Sequence, residues 1–320
     1  MGRQRKEYTA DPFKTGPFKL SKKRDDWATY LKQLATVFES MSTLPNFEED
    51  NSVFVFSDYG GDHSGANFNT YSFLIVSADK IGVFQHHMAE LRERYKLGSK
   101  EISYKSLGHG PTKRSLKEYL EVADGCIHGM ILTVCIEKSI VSMFGPDKKS
   151  AKENLQQLSD QIGAGKWHEF KLERMYRIFG ILVLLLDLTT TSDQKVLWQS
   201  DTDQINEEGR AANFGDTQRH LYSFLREFTD KDYPLLGFAK TFKEGSHFTD
   251  LLSLTDLAAG MVQDMLSDKY FGKELLVNEE RAEICRWLGR QSKFLEKKFI
   301  AVVKRDDLIY FEPVYIEQIG

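Results

Sequence analysis

Two β-rich runs that each end in an aspartate constrain this chain most. Residues 52–57 read SVFVFS and lead into Asp58, and residues 195–200 read KVLWQS and lead into Asp201. The first is followed by a glycine-rich turn, YGGDHSG, and by a second β-rich run at residues 70–77, TYSFLIVS, which predicts a hairpin. A helix over residues 80–95 comes next, then EISYKSL at 101–107, a helix over 112–123 and a strong strand at 130–137, MILTVCIE. Strands alternating with helices predict an α/β fold, and the ends of strands in such a sheet are where ligand sites gather.

The 320 residues predict one large decorated domain or two modest ones. With 41% hydrophobic and 28% charged residues, and only 7 prolines beside 23 glycines, disorder, collagen and coiled coil are excluded. A formal charge of -4 excludes a protein that coats nucleic acid by bulk electrostatics, so any phosphate contact must be a local patch. Cys126, Cys135 and Cys285 are odd in number and form no CxxC pair, which indicates buried thiols in a reducing cytosol. The start, MGRQRKEYTADPF, has no apolar stretch, and Lys6 stands where a myristoylation signal wants Ser or Thr, so neither export nor a lipid anchor is expected. The most apolar run, residues 178–186, lies between Arg177 and Asp187 and is far shorter than the roughly 20 residues that span a bilayer. It predicts a buried helix.

Residues 1–50 are expected to form a basic arm, which would be a solvated terminus or a contact for phosphate, followed by one helix through Trp27, Tyr30, Leu31, Leu34, Val37 and Phe38. Residues 51–138 and 193–275 make up the expected core. Between them, residues 139–192 read as helices only, a polar one over 148–162 and an apolar one over 167–188, and are expected to be a helical insertion. The rest of the core adds a helix over 211–228, a short strand over 235–241 and a helix over 250–268. Residues 276–320 complete the chain with a basic helix over 279–298 and a terminal hairpin. Something must cover the apolar run IFGILVLLLDL, either the chain's own core or an identical chain or protein partner; an element inserted into a complete core has less of its own surface to pack on, which favours the partner.

Four acids carry the candidate chemistry: Asp58, Glu101, Asp201 and Asp256. For Asp58 and Asp201 the competing reading is a turn or helix cap, and for Glu101 an ordinary exposed side chain among Lys100, Ser103 and Lys105. Asp256 is more informative, because it lies inside the apolar helix LLSLTDLAAGMVQDML and shares a stripe with Leu252, Ala259, Gly260 and Gln263. A carboxylate on such a face must be paired, protonated or bound to a cation. Asp250 reads as the N-cap of that helix. His63, His109 and His247, with Lys105, Lys240 and Lys243, stand near the same motifs as ordinary loop residues or as proton and phosphate contacts. There is no P-loop, no GxGxxG before a helix, no HExxH and no GxSxG.

In order, SDYGG at Asp58, KEISYKSL at Glu101, WQSDTD at Asp201 and LLSLTDLAAG at Asp256 resemble the ribonuclease-H-like "domain of unknown function 3800" family. The resemblance covers residues 52–137 and 195–269. It implies a ribonuclease-H-like mixed sheet flanked by helices, with Asp58, Glu101, Asp201 and Asp256 converging on Mg²⁺ or Mn²⁺. Tyr59 departs from the pattern, since the family commonly has an acid directly after the first Asp; Asp62 or Asp203 could stand in for it. Phosphodiester hydrolysis by two ions about 4 Å apart needs several hard oxygen ligands and one bridging carboxylate. Asp58 is expected to bridge, Glu101 and Asp256 to complete one ion each, and Asp201 to share the second. The resulting expectation is a cytoplasmic metal-dependent nuclease acting on nucleic acid, with no membrane partner. The alternative is a catalytically inactive ribonuclease-H-like binding or assembly subunit.

Overall fold

The computed structural model describes residues 9–23, 25, 27–145, 147–201, 205, 211–239, 247–276 and 278–317. Its centre is a seven-stranded mixed sheet flanked by helices. The expected hairpin forms from β3 (Ser52–Gly60) and β4 (Phe68–Ser77), paired antiparallel from Val53↔Ser77 to Gly60↔Thr70. β5 (Gly129–Glu137) adds antiparallel to β4, while β6 (Lys195–Ser200) runs parallel to β3 and β7 (Leu235–Ala239) parallel to β6. β8 (Leu295–Arg305) lies parallel to β5, and β9 (Leu308–Val314) closes the edge, giving the order β7-β6-β3-β4-β5-β8-β9.

Both faces of the sheet are covered, so its central strands are buried on both sides. Val53, Val55, Phe73 and Ile75 point to one face and join a core with α1 (Thr29–Glu39), α5 (Glu169–Thr189) and α6 (Phe214–Phe228). Phe56, Leu74 and Val76 point to the other and pack with α2 (Gly82–Tyr95), α3 (Gly110–Cys126), α7 (His247–Phe271) and α8 (Glu279–Gly289). The period of two along each strand therefore assigns every β3 side chain to one core or the other.

Four expectations are corrected. The helical insertion is not separate from the core: α4 (Lys148–Gln161) and α5 follow β5, and every α5 residue from Leu172 to Thr189 is buried within the chain. The apolar stripe is thus covered by its own sheet, and the reason for covering it with a second copy disappears. Its polar residues are satisfied, Asp187 by Ser21 N–H at 2.7 Å and the hydroxyls of Ser21 and Thr229 at 2.6 Å, and Arg177 by Glu173 at 2.6 Å. The basic helix ends at Gly289, because residues from Leu295 onward supply the parallel partner that β5 would otherwise lack. Part of the arm is structured, with β1 (Phe13–Thr15) pairing antiparallel with β2 (Thr43–Pro45). Of the three free thiols only Cys135 is fully buried; Cys126 and Cys285 are half-buried. No helix among the described residues is long and apolar enough to cross a membrane.

The turn after β3 depends on Gly61. Its φ is +95°, and a Cβ there would lie 2.0 Å from the Phe68 carbonyl oxygen. Gly61→Ala is expected to cost about 2–4 kcal/mol, measured by denaturant unfolding, through combined backbone strain and steric clash.

Candidate functional site

β3 and β6 run side by side until β6 ends, while β3 continues to Gly60 against β4. Their last paired residues are Ser57 and Ser200, and Asp201 N–H extends the ladder to the Ser57 carbonyl at 2.9 Å. Asp58 and Asp201 follow directly. Phe56 faces α7 whereas Val196 and Trp198 face the α5 side, so the two-residue period turns Asp58 and Asp201 to the same, α7, face.

α7 lies across that face and brings Asp256, half-buried, to it. The Asp256 carboxylate accepts a 2.6 Å hydrogen bond from Tyr104 N–H. Tyr104 begins a 3-10 turn, Tyr104–Ser106, three residues after Glu101. The stripe of small residues on α7 meets this turn rather than the sheet alone: a Cβ on Gly260 would sit 2.3 Å from the Tyr104 ring. The Tyr104 hydroxyl donates to Asp264 at 2.8 Å, and the Arg281 guanidinium stands 5.3 Å from the ring centroid.

The loop carrying Glu101 is clipped in place from the other end. Arg92 on α2 donates to the carbonyls of Gly98 at 2.8 Å and Lys100 at 3.1 Å, and binds the Asp250 carboxylate through Nε at 3.0 and 3.1 Å. Asp250, expected as the N-cap, instead lies inside the first turn of α7, which begins at His247. It is a buried ion-pair partner that ties α7 to the Glu101 loop.

The charges of the four acids act on one another's ionisation. Burial, then the charges of Asp256, Asp201 and Glu101, hold the Asp58 carboxyl well above the usual carboxylate range. Burial, then Asp256 and Asp201, raises Glu101. Burial also raises Asp256, opposed by Tyr104 N–H and by the charge of Lys105. Glu101, Asp201 and Lys105 are solvent-exposed, so the group opens to solvent.

No three His, Cys, Asp or Glu side chains among the described residues stand close enough to form a ready metal-ligand cluster. The donor set nevertheless has the chemistry a hard divalent cation requires, oxygen ligands only, in a place where neighbouring negative charges penalise ionisation. Asp62 is not a substitute ligand: it pairs with Arg174 of α5 on the opposite side of the strand end, where that guanidinium also lies 5.7 Å from the Tyr59 ring centroid. Asp203, Lys240, Lys243 and the His247 side chain lie outside the described residues. His63 is exposed, and its carbonyl accepts from Lys138 at 2.8 Å. His109 meets Lys100 at 3.1 Å, beside the Glu101 loop.

Sequence reasoning missed Tyr104 and Asp264. Asp264 falls eight residues after Asp256, about two turns along α7, a spacing that was readable. Tyr104 acts on Asp256 through its backbone, which leaves no signature in residue type.

A pH dependence follows. Carboxylates with raised folded-state pKa take up protons on folding, so they cost nothing below their ordinary range near pH 4. As pH rises the unfolded chain ionises first, and the folded state loses stability until Asp58, Glu101 and Asp256 have ionised too. Metal-free protein is therefore expected to gain stability from pH 7.5 to pH 5.5 relative to Asp58→Asn, with Tm followed in parallel for both. Equal pH profiles would refute the coupling.

Comparison with protein-family models and with curated proteins finds no match to this chain.

Proposed function

We propose that this protein is a divalent-metal-dependent nuclease of the ribonuclease-H-like kind, similar to the "domain of unknown function 3800" family, and that Asp58, Glu101, Asp201 and Asp256 are its metal ligands. One observation carries the reading: acids from two adjacent parallel strands, a clipped loop and a helix lie within range of one another's charge, which with burial holds three of them above the ordinary carboxylate range. A mixed sheet with its hairpin at the centre and Asp58 at the end of that hairpin's first strand agrees with the resemblance.

Mg²⁺ or Mn²⁺, when bound, supplies Lewis-acid activation of water and stabilises charge on the phosphate. The chain's own residues do the rest. Asp58, on which the charges of Asp256, Asp201 and Glu101 all act, would hold the ion together with them. Tyr104 N–H fixes one oxygen of Asp256, leaving the other to bind. Lys105, exposed and close enough to act on Asp256, offers a cation to a scissile or neighbouring phosphate. No nucleophilic side chain is required. The three free thiols suit work in the reducing cytoplasm.

The test is a Mg²⁺ and Mn²⁺ titration against labelled single- and double-stranded DNA and RNA. Cleavage that needs metal and is lost in Asp58→Asn supports the reading. Nucleic-acid binding without cleavage at any metal concentration would instead support the catalytically inactive binding subunit.

A further inference from the structure

Across the rim of the sheet from the four acids lies a cavity of about 600 Å³, large enough for a nucleotide. It opens between the turn after β3, the end of β5, and the first turns of α4 and α5. Three of its cations already have carboxylate partners: Arg174 with Asp62, Arg177 with Glu173 and Lys152 with Glu169. Two more, Lys138 and Lys148, have no carboxylate within salt-bridge distance among the described residues. Five cations against three carboxylates leave two positive charges, although Asp62 also acts on Lys138.

Other features favour an anion. Lys148 stands at the start of α4, whose first N–H groups are taken by the Asp147 carboxylate, so the positive charge at this wall comes from the Lys148 side chain rather than from the helix end. Lys138 is held by its bond to the His63 carbonyl. Tyr71 and Phe170 add aromatic surface to the wall, and Phe170 is exposed enough to meet a base.

We propose that this cavity is a binding site for a nucleotide phosphomonoester, the phosphate meeting Lys138 and Lys148 and the base meeting Phe170. The inference rests on the nuclease reading for its substrate class, in that the phosphomonoester is the end of the nucleic-acid strand. The two sites are joined by the end of β3 and the turn that follows it. Asp58 and Asp62 are four residues apart, at most roughly 14 Å of extended chain. A strand anchored by its end in the cavity thus reaches the acids within a few nucleotides, which makes the cavity a device for counting from an end.

The experiment measures binding without cleavage, using metal-free protein and fluorescent oligonucleotides with a 5′-phosphate, a 3′-phosphate or hydroxyl ends. Nucleoside 5′-monophosphate and inorganic phosphate serve as small probes. The expected result is at least about tenfold tighter binding of one phosphorylated end over the hydroxyl end. The Lys138→Gln/Lys148→Glu double variant should lose that preference and Lys149→Glu, the same charge change on α4 outside the cavity, should keep it. Circular dichroism of both variants separates loss of binding from loss of folding, and Lys148→Glu alone, at an exposed helix start, serves if the double variant does not fold. Preference for nucleoside monophosphate without preference for a phosphorylated end would keep the phosphomonoester site but assign it to free nucleotide. Equal affinity for all ends, with no response to monophosphate or to the variants, would overturn it. Because no step requires catalysis, failure to cleave bears only on the nuclease reading.

Discussion

Asp58→Asn and Asp256→Asn are each expected to lower metal-dependent cleavage by about 10³-fold or more, equivalent to roughly 4 kcal/mol of transition-state stabilisation. Both variants are expected to fold, and in the absence of metal to melt above the parent. The reason is the sign of the electrostatics. Asp58 is half-buried among the charges of Asp256, Asp201 and Glu101, so an uncharged isostere removes repulsion as well as a desolvation cost. Activity and stability therefore move in opposite directions, a signature that a structural ion pair does not give. Melting curves with and without Mg²⁺ read it directly: the parent should gain stability with metal, and the variants should gain much less. If both variants melt below the parent and neither responds differently to metal, the carboxylates serve the fold and not a cation.

Arg92→Ala carries the largest expected loss of stability, about 3–5 kcal/mol, because it removes the guanidinium from a carboxylate that is almost fully buried. Asp250 would be left in a site built around a cation, and the carbonyls of Gly98 and Lys100 would lose their donor. Chemical denaturation measures the loss. A second effect separates this residue from an ordinary structural one: the loop freed by the change carries Glu101, so the metal concentration needed for half-maximal stabilisation should also rise. Arg92→Met combined with Asp250→Leu should recover most of the stability, since an apolar pair replaces the buried charges, without restoring metal affinity. If the double variant is no more stable than Arg92→Ala, the cost lies in the loop contacts rather than in the exposed charge.

Much of this architecture is legible in the chain because it depends on local periodicity. The runs ending at Asp58 and Asp201 announce strands, TYSFLIVS after a glycine-rich turn announces a hairpin, and an aspartate inside LLSLTDLAAG is costly enough to mark a site. The same reasoning placed α5 and the terminal hairpin along the chain but missed what covers the helix and that β8 extends the central sheet. An apolar helix looks alike whether it covers its own sheet or another chain, and residues 290–298 carry no local sign that β5 needs a parallel partner. Pairing is a property of two segments, and one segment does not disclose it.

The sequence by itself determined the central strands, most of the helices and the choice of four candidate acids, because hydrophobic period and the cost of a buried charge act within a few residues of each other. Only the tertiary structure decided that Asp58 and Asp201 share a face, that Tyr104 and Arg92 position Asp256 and the Glu101 loop, and that Lys138, Lys148 and Phe170 border one cavity. Those relations are set by strand register and helix packing, which follow from burying both faces of one sheet at once, and that condition involves the whole chain.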